Sequence, residues 1–144
     1  MTKQNVSNQA LIALQEGKLE EAEHLYRSIL NEQPEHIDAN NNLGIILQNF
    51  GKLEEAKEYY KKAIENKPDF TVGYNNLGGL HIDLEEFKEA EKYFRKALEL
   101  NPHYVEAHYN LGIVLYKLSK FEESILSYKK AIELNPNHLR AHNN

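Results

Sequence analysis

The sequence predicts an all-α solenoid of antiparallel helix pairs, on three observations. The only four prolines, Pro34, Pro68, Pro102 and Pro136, each lie 34 residues after the last. Leu43-Gly44, Leu77-Gly78 and Leu111-Gly112 keep that spacing, as do Ala22, Ala56, Ala90 and Ser124, and the aromatics Tyr26, Tyr60, Phe94 and Tyr128. Within each period the apolar residues fall at helical rather than strand spacing, in two runs divided near the middle. A fixed period of this kind marks a repeat array, in which each unit buries its apolar face only by stacking on its neighbours.

The repeats are framed as 3–36, 37–70, 71–104 and 105–138 in a single array over 1–144, with 139–144 opening a fifth. In repeat two the first helix is read from Asp38 onward, with apolar or small residues at 39, 43, 44, 46 and 47. Gly51 breaks it, as Gly17 does in repeat one, and Glu85 and Ser119 occupy that position in repeats three and four. The second helix places Leu53, Ala56, Tyr60, Ala63 and Ile64 on one face. Glutamates crowd its first turn and lysines its last, which complements the helix dipole. Glu58→Lys62 and Glu91→Arg95 add i,i+4 pairs. Proline then stops the helix, and Asp69 and Asn137 are expected to cap the next first helix.

Gly44, Gly78 and Gly112 recur in mid-helix, where each costs roughly 1 kcal/mol against alanine. Their period implies close packing against Ala56, Ala90 and Ser124, with residues 60, 94 and 128 filling the space toward the following repeat.

These residues carry a resemblance. The 34-residue helix–turn–helix, with Leu-Gly, a small residue, an aromatic, Ala and a terminal Pro, resembles the tetratricopeptide repeat. It covers nearly the whole chain and is strong in repeats two to four; repeat one has Gln9-Ala10 where the others have Leu-Gly. The resemblance implies a right-handed superhelix with first helices on the concave face and second helices on the convex face.

Composition narrows the function. The formal charge is −5, with lysines and glutamates interspersed, so a phosphate backbone is not an expected partner. With no cysteine there is no disulfide, thiol nucleophile or thiolate metal site. The N-terminus lacks a hydrophobic signal core, and no segment reaches the ~20 apolar residues of a membrane span. A cytoplasmic protein without cofactor or resident metal is expected. His103 with His108, or His138 with His142, approach ligand spacing without a carboxylate or thiol to complete a set. His81 falls on the inward face, where a satisfied core histidine is expected. Gly78-Gly79 lies inside a helix and is no phosphate loop. No catalytic constellation can be assembled, and no activity is expected of these residues.

The strongest functional signal is a series of asparagines at the same period: Asn8, Asn42, Asn76, Asn110 and Asn144. Asparagine is a mediocre helix former, so five in register ask for a reason. An amide carries both a donor and an acceptor and can pair with a peptide backbone whatever its sequence. The series is similar to that of the superhelical arrays of O-GlcNAc transferases, which by resemblance implies a clamp for extended polypeptides. Bonds between neighbouring repeats are the structural alternative. Further groove positions are Asp38, Asn41, Ile45 and Asn49; Asn75 and Ile82; Tyr109, Ile113, Tyr116 and Lys117. A carboxylate clamp for acidic tails is not expected, because Gln4, Asp38, Val72 and Glu106 stand where the family's clamp lysines would be wanted.

The chain is thus read as a protein-interaction scaffold binding a peptide or partner helix. Two other classes stay open: the recognition part of a larger enzyme, and an end-to-end self-assembling scaffold. Residues 139–144 match the opening of another repeat, so the chain is expected to be a piece of a longer protein. The last complete helix is then expected to expose an apolar stripe including Tyr128 and Ile132, suited to self-association.

Overall fold

The structure, a computed structural model, describes residues 2–137. Among them are eight α-helices: α1 (Lys3–Gln15), α2 (Leu19–Glu32), α3 (Ile37–Asn49), α4 (Leu53–Asn66), α5 (Thr71–Asp83), α6 (Phe87–Leu100), α7 (Val105–Lys117) and α8 (Phe121–Leu134). No strand occurs among the described residues. The fold is all-α and built of consecutive helix pairs. Asn144, the His138–His142 pair and the stretch 139–144 lie outside the described residues.

Each helix pair closes through the same backbone device. Gly17 and Gly51 take left-handed φ values of 76° and 78°, and Glu85 and Ser119, in the same register, take 58° and 62°. The following amide then reaches back across the helix end: Lys18 N to Ala13 O at 2.8 Å, Lys52 N to Leu47 O at 2.9 Å, Glu86 N to His81 O at 2.8 Å and Lys120 N to Leu115 O at 2.8 Å. This satisfies carbonyls that a helix end leaves orphaned. The helix break expected at Glu85 and Ser119 is therefore made without glycine, at a steric cost.

Asp69 does not cap α5. Proline and the residue after it form a turn, and α5 begins at Thr71. The capping position falls two residues past the proline, where His36 accepts from Ala39 N through Nδ1 at 3.1 Å for α3. Asn137 sits in the corresponding turn after Pro136.

The chain divides into two compact units, Met1–Gly73 and Tyr74–Asn144. In the first, Ala10, Ala22, Ala39, Leu43, Ile46, Leu47, Ala56, Tyr60 and Ala63 are buried. In the second, Ala90, Phe94, Leu111, Val114 and Leu115 form one cluster, flanked by Ile82, Phe87, Leu98 and Leu118.

An aromatic of the second helix is the nearest neighbour of each recurrent glycine. A methyl group on Gly44 would lie 2.6 Å from the Tyr60 ring, one on Gly78 2.5 Å from Phe94, and one on Gly112 2.8 Å from Tyr128. The aromatic of the second helix packs against the glycine of its own hairpin, and Phe94 also reaches the next repeat as expected, in one cluster with Leu111, Val114 and Leu115. The small residue still matters in repeat four, where Ser124 Oγ donates to Gly112 O at 2.7 Å.

Second helices are tied by ion pairs. Arg27 reaches Glu23 at 3.0 Å and Glu55 at 2.8 Å, and donates to Tyr59 Oη at 3.2 Å. Arg95 repeats this with Glu91 at 2.8 Å and Glu123 at 2.9 Å, and Lys120 joins Glu91 at 3.1 Å. Of the two helical pairs expected, only Glu91–Arg95 forms, because Lys62 lies over the Tyr59 ring instead, 4.9 Å from its centroid.

Candidate functional site on the first helices

A first helix turns Leu43, Leu77 and Leu111 into the core, and the residue before each lies at the rim of that burial. Asn42, Asn76 and Asn110 are all half-buried there, whereas Asn8 is exposed. Their amides are not idle. Asn42 Nδ2 donates to Tyr26 Oη at 3.0 Å, and Asn110 Nδ2 donates to Asn75 Oδ1 at 3.3 Å. Gln4 Nε2 donates to Asn8 Oδ1 at 3.2 Å. Two members of the series thus link one repeat to the next.

Local electrostatics follow from these bonds. Burial pushes the Tyr26 hydroxyl above its usual range, against the opposing bond from Asn42, and Asp38 adds to the rise. Burial likewise raises Tyr104, with Glu106 adding and the bond from Asn75 opposing. Both phenols stay neutral near pH 7, so each accepts its amide donor as a hydroxyl.

In the first unit, Asp38 and Asn49 are exposed, Ile45 is half-buried and Asn41 is 5% exposed. Asn49 Nδ2 folds back onto Ile45 O at 2.9 Å. In the second unit, Tyr116 and Lys117 are exposed and Asn75, Ile82 and Ile113 are half-buried. Tyr109 is 6% exposed, its ring centroid 5.8 Å from that of Tyr128 in a cluster with Ala131. Asn41 and Tyr109 share one register position, and both brace the face from beneath rather than presenting surface. Ile82 leans into the Phe94 cluster and Ile113 into the Tyr109 cluster.

His81 and His108 settle into structural places. His81 stands in register with Leu47 and Leu115, is buried, and stacks on Tyr93 with centroids 5.3 Å apart. Its Nδ1 meets Glu86 Oε1 at 3.0 Å, while Nε2 has no hydrogen-bond partner. The expected satisfied core histidine is therefore satisfied on one nitrogen only. His108 Nε2 engages Pro102 O at 2.8 Å. No group of three or more His, Asp or Glu suited to a metal occurs among the described residues. No described helix is long and apolar enough to cross a membrane.

Sequence reasoning did not single out a hollow of about 440 Å³ in the second unit, lined by Tyr74 of α5 and by Lys92, Tyr93, Arg95, Lys96 and Glu99 of α6. The stacked Tyr93 and its neighbour Tyr74, at 6.5 Å between centroids, form its apolar wall.

Comparison with known proteins agrees with this fold. Models of the tetratricopeptide repeat match residues 13–77, 72–104 and 105–138. No curated protein sequence matches the chain. Among solved structures, one of MamA is 25% identical with a TM-score of 0.83, over 92% of this chain and 78% of that one. PilF from Pseudomonas aeruginosa is 26% identical with a TM-score of 0.89, over 96% of this chain and 64% of that one. The first tetratricopeptide domain of Spaghetti (RPAP3), solved with the HSP90 peptide SRMEEVD, is 30% identical with a TM-score of 0.71, over 72% of this chain and 82% of that one. On the family match and the helix pairs together, this chain belongs to the tetratricopeptide repeat family.

Proposed function

We propose that the chain is a protein-interaction module that takes an extended peptide on its first helices. The observation that carries this is the half-buried rim position shared by Asn42, Asn76 and Asn110. Each puts a backbone-matching group at the border between core and solvent. Asn42 and Asn110 each spend one of their two Nδ2 hydrogens inside the chain, so what is offered to a ligand is the second hydrogen and, above all, the amide oxygens. They would accept from peptide N–H groups, at about 1 kcal/mol net for each bond. In the second unit, exposed Tyr116 and Lys117 flank this rim and supply apolar contact and a cation. The Spaghetti domain, which this chain resembles, is bound to an HSP90 peptide in its solved structure. An acidic tail is a poor ligand here, since Asp38 and Glu106 stand at the positions wanted for its lysines. We assign the module no catalytic step.

The test is a peptide-library screen on the isolated chain, comparing wild type with Asn76→Ala and Asn110→Ala while helicity is monitored. Binding that weakens severalfold in each, with helicity kept, supports the reading. Binding that ignores both substitutions overturns it.

A further inference from the structure

Tyr74 of α5 and Tyr93 of α6 meet in the second unit, with ring centroids 6.5 Å apart and planes tilted by 31°. They form the apolar wall of the hollow of about 440 Å³ described above. That size falls within the about 300–1,000 Å³ of small-molecule pockets, and gives room for one large side chain. The wall is held in place before any ligand arrives. Tyr93 stacks on the buried His81, which Glu86 engages through Nδ1 at 3.0 Å. The pair α5 and α6 is internal, with described helix pairs on both sides of it in sequence, so the hollow is no product of a chain end.

The other repeats do not build this wall. Its two register positions hold Val6 and Leu25 in repeat one, Asn40 and Tyr59 in repeat two, and His108 and Ser127 in repeat four. In repeat two the Tyr59 ring is covered from within the chain, by Arg27 at 5.8 Å and Lys62 at 4.9 Å from its centroid. Asn40 is buried there, its Nδ2 spent on Pro34 O and His36 O. In repeat three Tyr74 replaces that amide, and both tyrosines are only half-buried. Tyr74 and the rim residue Asn76 lie two residues apart, about 200° around the helix, so the hollow and the rim face different ways.

The charges around the wall select the occupant. Lys92, Arg95 and Lys96 line the hollow against one carboxylate, Glu99. Arg95 is committed to Glu91 and Glu123. Lys96 meets Glu99 only at 3.8 Å, and that carboxylate is 73% exposed, a contact so weak that a better-placed anion displaces it. Lys92 stands where repeat two has Glu58; it is exposed, with its ammonium 6.0 Å from the centroid of Tyr93. Two lysines beside an aromatic wall match a ring flanked by carboxylates, whereas a cationic segment would meet like charge. An aromatic ring gains more here than an aliphatic chain, because it packs on the tyrosines and also takes a lysine over its face.

We propose that this hollow is a second docking site, which takes an aromatic side chain flanked by acidic residues from a partner protein, independently of any peptide on the first-helix rim. One side chain in one hollow is a small contact, so a short peptide binds it weakly.

The experiment is an NMR titration of the isotope-labelled 144-residue chain with the synthetic peptide Asp-Glu-Phe-Asp-Glu, capped at both ends, with circular dichroism on every variant. The amides of Tyr74, Lys92, Tyr93 and Lys96 shift and saturate. A peptide with Ala in place of Phe binds roughly tenfold more weakly, and Lys-Lys-Phe-Lys-Lys does not bind. Lys92→Glu and Tyr74→Asn install the residues that repeat two carries, and each weakens binding by roughly three- to tenfold with helicity kept. Asn76→Ala binds the peptide like wild type. No saturable shift up to millimolar peptide overturns the proposal, as does equal binding of the alanine or the lysine peptide. So does affinity that survives Lys92→Glu unchanged, or that is lost in Asn76→Ala, which would put the peptide on the rim.

Discussion

Asn42 donates its amide to the hydroxyl of Tyr26 at 3.0 Å, joining the first helix of one repeat to the second helix of the repeat before. The Tyr26 side chain is buried, 3% exposed, so this bond replaces water that cannot reach the phenol. Asn42→Ala leaves the hydroxyl without its donor and is expected to destabilise the chain by about 1–2 kcal/mol. Tyr26→Phe removes the acceptor but leaves Asn42 at the solvent rim, and costs less. In a double-mutant cycle followed by urea denaturation, the two losses are less than additive. Full additivity would show that the bond contributes nothing.

Gly78 lies under the Phe94 ring, where an added methyl would come within 2.5 Å. Alanine would normally gain roughly 1 kcal/mol in a helix interior. Here overpacking outweighs that gain, and Gly78→Ala is expected to lose about 1–3 kcal/mol net. Thermal melts of Gly78→Ala against Gly79→Ala make the comparison, since nothing lies within 4 Å of a methyl at Gly79.

Glu85 and Ser119 hold φ values of 58° and 62° that Gly17 and Gly51 adopt without steric cost. Glu85→Gly and Ser119→Gly are each expected to stabilise by about 1 kcal/mol, the left-handed penalty for a side chain less the entropy that glycine loses on folding. Gly51→Ala shifts the midpoint the other way. Denaturant midpoints at constant slope report all three.

Glu91 carries a pH dependence. Burial alone would raise its carboxyl, but hydrogen bonds from Arg95 and Lys120 outweigh that and hold it below the usual glutamate range. A depressed folded value means that the carboxylate contributes stability above the ordinary glutamate pKa. That contribution is lost as pH falls through the folded value. Wild type should therefore lose stability on acidification more steeply than Glu91→Gln, which lacks the titrating group. Parallel slopes for the two proteins below pH 5 would contradict the assignment.

Much of the fold was legible because it is written in one register. Leucine before glycine, a small residue and an aromatic recur, and each recurrence reports the same packing need. What escaped depends on which surface a side chain meets. Nothing in the spacing says that the Tyr60, Phe94 and Tyr128 rings pack on the glycines of their own hairpins, beside the contact that Phe94 makes with the next repeat. Asn41 and Tyr109 share the first-helix face in a wheel projection, yet burial takes them out of reach of a ligand. The pairing of Asn42 with Tyr26 joins residues sixteen apart, on helices whose crossing only the folded chain defines. The apolar stripe expected on α8 at Tyr128 and Ile132 also lies elsewhere: both residues are half-buried in their own hairpin, and Phe121 and Ile125 are the exposed ones.

The central claim is that the rim amides meet a peptide and do not serve only as struts. Its most direct measurement is the affinity of one library-selected peptide for wild type, Tyr26→Phe, Asn42→Ala and Asn76→Ala, by isothermal titration calorimetry. The account predicts that Tyr26→Phe binds like wild type, because it breaks the strut and leaves the amide in place, while Asn42→Ala and Asn76→Ala each weaken binding by about fivefold, the equivalent of one hydrogen bond. If Tyr26→Phe instead loses as much affinity as Asn42→Ala, and Asn76→Ala loses none, the asparagines are struts and the peptide is held elsewhere.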